Sequence, residues 1–292
     1  MATVHLIDAS PYLFRAYFSL PEMTDPQGAP VQVVHGFGAM LLRFFNEERP
    51  THVAVAFDES LSTSFRNEIY PAYKSSRESP PPSLVAQLER SQAIARALGV
   101  LTFADDRYEA DDLVATLATT LVDDGHDVVV VTADKDLAQL VTDRVTWYDI
   151  GEGTRYEPGD VVAKYGVRPV RIPDYLGLAG DSGDDIPGVR GVGPKTAAAL
   201  LGAYDSIDEL YENLERVPEL PIRGAKSTAR KLEEDRELAF LSRRLATVAR
   251  DAPAAATLEE LEWRGADRAA IDALFAELDF TGLKRRIDRW AT

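Results

Sequence analysis

Three short stretches of this 292-residue chain are almost continuously apolar: "TVHLI" at 3–7, "THVAVAF" at 51–57 and "DVVVVTA" at 127–133. Val-rich runs of this length, bounded by polar residues, read as strands buried on both faces. Between them, apolar positions recur at helical spacing over 33–46, 84–98 and 111–122, which predicts a parallel sheet flanked by helices. Beyond about residue 155 the strand signal fades. Helical patterns follow near 158–165, 170–179, 194–203, 206–214, 227–249 and 266–278, punctuated by Gly and Pro. The expected fold class is therefore α/β, with an all-helical region after it and no internal repeat. One connection interrupts the alternation. Residues 59–83, "ESLSTSFRNEIYPAYKSSRESPPPS", are long, polar and carry Arg66, Lys74 and Arg77, and a connection of that length in a compact domain is usually functional.

Acids then change the picture. Each predicted strand ends in one: Asp8, Asp58, and the pair Asp134 and Asp136. In open parallel sheets the ligand crevice lies outside the carboxyl ends of the strands, so these side chains should converge. "YEADD" adds Glu109, Asp111 and Asp112 at the start of a helix, where acids also serve as caps and dipole partners. "GDSGDD" adds Asp181, Asp184 and Asp185 where the helical region begins. Carboxylates this close raise one another's pKa unless cations neutralise them. The chain has no Cys and only four scattered His (His5, His35, His52, His126), so a metal would be held by oxygen, which suits Mg²⁺ or Mn²⁺. The formal net charge of −16 argues against diffuse attraction to nucleic acid. Any such binding must be local.

"GVRGVGPKTAAALL" (188–201) is neither a P-loop nor a dinucleotide fingerprint, because Pro194 separates Gly193 from Lys195 and Thr stands at 196 where a third Gly is needed. It reads as a glycine turn into a helix. The N–H groups of Gly191, Val192 and Gly193, with Lys195 and Thr196, are placed to approach a phosphodiester backbone.

In this order, "LIDASPYLFRAYF", "VAFD", "FRNEIYPAYKSSR", "YEADDLVATLA", "TADKDLAQLV" and "GDSGDDIPGVRGVGPKTAAALL" resemble the 5′ nuclease (flap endonuclease) family, most closely the N-terminal 5′→3′ exonuclease domain of bacterial DNA polymerase I. The resemblance implies a PIN-like nuclease core over 1–168 with a helical arch at about 59–90. A helical DNA-binding region over 169–292 would follow, with a helix-three-turn-helix at about 180–215 and often a K⁺ ion there. It implies one metal set of Asp8, Asp58, Glu109, Asp111 and Asp112, and a second of Asp134, Asp136, Asp181 and Asp184. Lys74 and Arg77 would be arch cations near the scissile phosphate, Arg15 a basic group beside the site, and Tyr73 an aromatic stacking on an unpaired base. Ala133 and Asp185 depart from the usual pattern, Asp185 adding charge beside the second set. The implied activity is a Mg²⁺-dependent, structure-selective 5′ nuclease acting on flaps, nicks, overhangs or RNA-primed ends. The implied setting is a cytoplasmic, nucleoid-associated monomer working alongside a DNA polymerase. A DNA-junction binding module with structural ions is the alternative. A haloacid-dehalogenase-type phosphatase would want a second Asp at position 10, which is Ser.

Overall fold

The computed structural model describes residues 1–59 and 64–291; residues 60–63, inside the expected arch, lie outside the described residues. Its sheet comprises β1 (Thr3–Asp8), β2 (His52–Asp58), β3 (Leu101–Asp105), β4 (Asp127–Val131), β5 (Val145–Asp149) and β6 (Thr154–Tyr156), in the spatial order β3-β2-β1-β4-β5-β6. All pairings are parallel except β5 with the edge strand β6. Leu6 of the central β1 stands between Ala54 and Val130.

Alternation along these strands sorts the two faces. Val4, Leu6, Ala54, Ala56, Val128 and Val130 pack on one side under α5 (Ala110–Asp123). Ile7, Val53, Val55, Phe57, Val129 and Val131 pack on the other, under α2 (Gln32–Glu48) and α4 (Pro82–Ala97). Because both faces are covered, the strands could be apolar at every position, which is the pattern the sequence carries.

The sequence reading missed α1 (Ser10–Ser19), which follows β1 directly with Pro11 in its first turn, and the outer strands β3, β5 and β6, of which β3 and β6 form the sheet edges. α3 (Phe65–Ile69) is a short helix inside the long polar connection. The helical region contains α6 (Pro158–Tyr165), α7 (Ile172–Ala179), α8 (Pro194–Ala203), α9 (Ile207–Glu212), α10 (Ala225–Glu234) and α11 (Arg236–Ala246) around their own apolar cluster. The single helix expected over 227–249 is broken at Asp235, whose carboxylate turns aside to receive the Arg190 side chain at 2.9–3.1 Å and the Arg190 N–H at 2.9 Å.

The stretch 169–292 does not form one helical unit. α12 (Arg268–Leu278) and α13 (Thr281–Lys284) fold back on the α2/α4 layer. Trp263 anchors this return, stacked on Phe45 at 4.4 Å between ring centroids, with its Nε1 donating to the Leu98 carbonyl at 2.9 Å. No helix among the described residues is long and apolar enough to cross a membrane. Replacing a buried Trp with Ala costs about 3–5 kcal/mol. Trp263→Ala is expected to lower unfolding free energy by that amount in urea titration; a loss within error would show that the C-terminal return is not part of the cooperative core.

Candidate active site

Strand order places the site. The chain winds outward from β1 in one direction through β2 and β3, then in the other through β4 and β5, so the crevice opens at the carboxyl ends of β1 and β4. Asp8 ends β1 and is 2% exposed; its Oδ2 accepts from Thr132 Oγ1 at 2.7 Å and its Oδ1 from the Ser10 N–H at 3.0 Å. Asp58 ends β2 and accepts from Ser10 Oγ at 2.6 Å and from the Ala110 N–H, in the first turn of α5, at 2.7 Å. Ser10 thus spaces the first two carboxylates. Past β4, Thr132 Oγ1 also accepts the Asp134 N–H at 2.9 Å, and Asp134 Oδ1 accepts the Asp136 N–H at 2.8 Å.

Asp181 and Asp184 arrive on a tight loop closed by mutual backbone hydrogen bonds between Asp181 and Ile186 at 2.9 and 2.8 Å. Gly188, at φ +61°, packs so closely on Gly180 that a Cβ there would collide with the Gly180 backbone, so glycine is required. The result is a cleft of about 390 Å³ whose walls include seven carboxylates: Asp8, Asp58, Glu109, Asp111, Asp134, Asp181 and Asp184.

Three cations share these walls. Lys74 Nζ lies 2.6 Å from Glu109 Oε1 and 3.8 Å from Asp184. Arg77 pairs with Asp184 and donates to the Gly183 carbonyl at 2.9 Å. Lys135, which the sequence reading missed although it stands between the two acids of "DKD", pairs with Asp181.

Several expected site residues lie elsewhere. Asp112 is fully buried and saturated: Oδ1 accepts from Arg66 and the Ala249 N–H, Oδ2 from Arg66 and the Glu109 N–H, at 2.7–3.1 Å. With two acceptor sites per oxygen filled, no lone pair remains for a metal, so Asp112 caps α5 instead. Asp136 is not on the cleft wall; its Oδ1 is buried without a hydrogen-bond partner, 3.6 Å from Lys135 Nζ. Tyr73 is only 4% exposed, so its ring offers no stacking face; its hydroxyl sits 3.1 Å from Glu109 Oε2 and 3.3 Å from Asp184 Oδ2, its one proton shared between them. Arg15 lines a separate groove of about 320 Å³ with Tyr12 and Gly151. Asp185 accepts the Ser76 N–H at 2.7 Å and is absent from the cleft lining. In the glycine turn, Gly191 and Lys195 are exposed and Gly193 caps α8 ahead of Pro194 and Thr196. The Val192 side chain is in the core and its N–H is spent on the Val189 carbonyl at 3.0 Å, so it is not free for an anion. Lys231, not foreseen, brings its ammonium against Gly191.

With this geometry in view, comparison with known proteins is direct. The profile of the family described as "5′-3′ exonuclease, N-terminal resolvase-like domain" matches residues 3–166, and that of "5′-3′ exonuclease, C-terminal SAM fold" matches residues 167–269. The chain belongs to the 5′–3′ exonuclease family. It is 38% identical over 286 residues to DNA polymerase I of Bacillus subtilis, covering 97% of this chain and 32% of that protein. It is 42% identical over 280 residues to DNA polymerase I of Pseudomonas aeruginosa, covering 96% and 31%. The chain thus spans about a third of the length of these relatives. Among solved structures it shares the fold of the T5 5′-exonuclease determined with bound zinc (TM-score 0.70, 19% identity, 97% and 98% coverage). It also shares that of the catalytic core of Rad2 in complex with DNA (TM-score 0.61, 12% identity, 97% and 90% coverage).

In this exonuclease-family chain, burial foremost, with neighbouring acids adding, pushes five acids at and behind the cleft wall up. Asp8 rises to about 8, with Asp58 adding to burial, and Asp136 also to about 8, with Asp134 adding. Asp111 is raised well above its usual range by burial, Asp134 and Asp8; Asp58 rises by burial and Glu109, and Asp134 by burial and Asp184. Such a set is short of positive charge and rich in oxygen donors, and the unpartnered Asp136 Oδ1 adds another, so a divalent cation fits. No three of these side chains close on one point as a finished cage among the described residues. Mg²⁺ is commonly held by one or two carboxylates and several waters, so it does not require such a cage.

The raised pKa values have a signed consequence. Between about pH 4 and 8 the folded protein keeps protons on Asp8 and Asp136 that the unfolded chain has released, which lowers stability as pH rises through that window; His5, pushed down to about 4 by burial, and His35, also lowered by burial, act in the opposite sense, but only below the ordinary histidine value of 6.5. Asp205, Asp208 and Asp235, held below the usual carboxylate range by Arg partners, act only at lower pH. In a chelator, the melting temperature should decline from pH 5 to 8, and added Mg²⁺ should raise it more at pH 8 than at pH 5.5. A flat profile with equal Mg²⁺ effects would remove the carboxylate set as a cation site.

Proposed function

We propose that the chain is a structure-selective nuclease that hydrolyses phosphodiester bonds near the 5′ ends of branched DNA, with Mg²⁺ or Mn²⁺ as cofactor. The observation that carries this reading is the convergence of seven carboxylates with Lys74, Arg77 and Lys135 in one cleft at the sheet's switch point, in a member of the 5′–3′ exonuclease family. The T5 5′-exonuclease was solved with divalent zinc ions, and a T5 D15 structure contains DNA and metal ions.

Asp8, Asp58, Glu109 and Asp111 would hold one ion, with Asp134, Asp181 and Asp184 a second and Asp136 contributing from behind the wall. Bound divalent ions supply Lewis-acid stabilisation of a phosphoryl oxygen and lower the pKa of a nearby water. The protein's own residues do the rest. Thr132, Ser10 and the α5 N-terminus keep the carboxylates apart and oriented through the hydrogen bonds described above. Tyr73 fixes Glu109 and Asp184 from behind. Lys74 and Arg77 place fixed positive charge where negative charge grows on the scissile phosphate, whereas Arg15 lines a separate groove. Duplex backbone would be gripped by the turn around Gly191 and Gly193, Lys195 and Thr196, with Lys231 beside it. Residues 1–168 serve as nuclease core, and α7–α11 as the duplex-gripping part. In a longer polymerase the cleft would process the 5′ strand ahead of synthesis, RNA-primed ends included.

Asp111→Asn is expected to reduce cleavage of a 5′-flap DNA by orders of magnitude while flap binding stays near wild type. Lys74→Ala should cost about 10²–10³-fold in single-turnover rate, the scale of losing one preorganised charge donor. Wild-type rates in both variants, or cleavage that continues in excess chelator, would overturn the assigned residues and the metal dependence; no cleavage of the flap by wild type with Mg²⁺ would leave a binding module.

A further inference from the structure

One guanidinium joins three parts of the protein that the proposed reaction needs in register. Arg66 lies on α3, at the foot of the segment carrying Lys74 and Arg77, and is 2% exposed. Its two terminal nitrogens each donate to Asp112 at 2.8 Å, and one also to Glu109 Oε2 at 3.1 Å. Nε donates to the Leu245 carbonyl at 2.8 Å, and the remaining terminal N–H to the Thr247 carbonyl at 3.3 Å. These five contacts use all five N–H groups of the side chain.

The carbonyls belong to the last turn of α11 and the residues just after it. The same helix holds the glycine turn at its other contacts: Ser242 Oγ accepts the Gly188 N–H at 2.9 Å, and Asp235, just ahead of the helix, accepts the Arg190 N–H at 2.9 Å. A continuous chain of short contacts therefore runs from the turn, along α11, through Arg66 to Glu109 on the cleft wall. Glu109 in turn holds Lys74 at 2.6 Å and the Tyr73 hydroxyl at 3.1 Å. The fork is planar and fully used, so a shift of α11 must either be passed to the two carboxylates or break a charge-assisted bond in a buried place.

We propose that Arg66 is a positioning residue that couples duplex engagement at the glycine turn to the placement of Glu109 and, through it, Lys74. The inference rests on the reading of that turn as the duplex grip. It assigns to Arg66 a role distinct from metal binding or contact with the substrate.

The test is hydrogen exchange on the full chain in a chelator, with and without a short blunt duplex. In wild type, duplex should protect amides at 188–197 and also at 109–114. Arg66→Lys keeps a charge for Asp112 but cannot also span to Leu245 and Thr247; it should keep protection at 188–197 and lose it at 109–114. Single-turnover flap cleavage should fall about 10–100-fold, as for other supporting contacts around metal sites, with little change in duplex affinity. Ser242→Ala combined with Asp235→Ala removes both contacts of the α11 region with the turn, and gives the same test should Arg66→Lys fail to fold. Protection at 109–114 that survives in both variants overturns the coupling. Absence of protection at 188–197 in wild type overturns instead the reading of the turn on which it rests.

Discussion

Gathering like charges in a half-buried cleft is the constraint on which the rest of this structure depends. Each carboxylate brought to the switch point loses hydration and gains a repelling neighbour, which is why Asp8, Asp58, Asp111, Asp134 and Asp136 all shift in one direction. Sheet edges, caps and loops can be read as means of bearing that cost. Ser10 spends its hydroxyl donor on Asp58 and Thr132 on Asp8, the α5 N-terminus spends an N–H on Asp58, and the connection after β2 sends Lys74 and Arg77 into the cleft.

The same constraint explains why some acids of the sequence cluster differ in role although they are adjacent. Asp111 faces the cleft, whereas Asp112, one residue on, is rotated by a helical step to the side where Arg66 waits. Residue type and spacing could not separate them, because capping and metal binding both call for carboxylates at a helix start. Nothing in "FRNEIYPAYK" separates a buried Arg66 fork from a solvent-exposed loop, because its partner Asp112 lies 46 residues away. The centre of the sheet was legible since β1, β2 and β4 are covered on both faces. β3 was not, because its residues are only partly buried and lack a continuous apolar run. The family resemblance implies a stacking ring at Tyr73, but its neighbours in space are Glu109 and Asp184, which no local pattern reveals.

Net charge and partner are reconciled by position. With nine site acids set aside, Asp and Glu still outnumber Lys and Arg, so a polyanion gains no general attraction. Seven of the acids face the cleft, where a divalent cation reverses their effect on an incoming phosphate. At the glycine turn the exposed groups are instead Gly191 and Lys195, with Lys231 beside them. Binding divided in this way has a physical corollary. Attraction at the turn is screened by monovalent salt, while attraction at the cleft depends on the divalent ion. Under the proposed function, a substrate that reaches only one of the two sites gains only one of the two contributions, so a duplex that satisfies both at a fixed separation is favoured. Arg66, which ties α11 to Glu109, is the element that holds that separation constant.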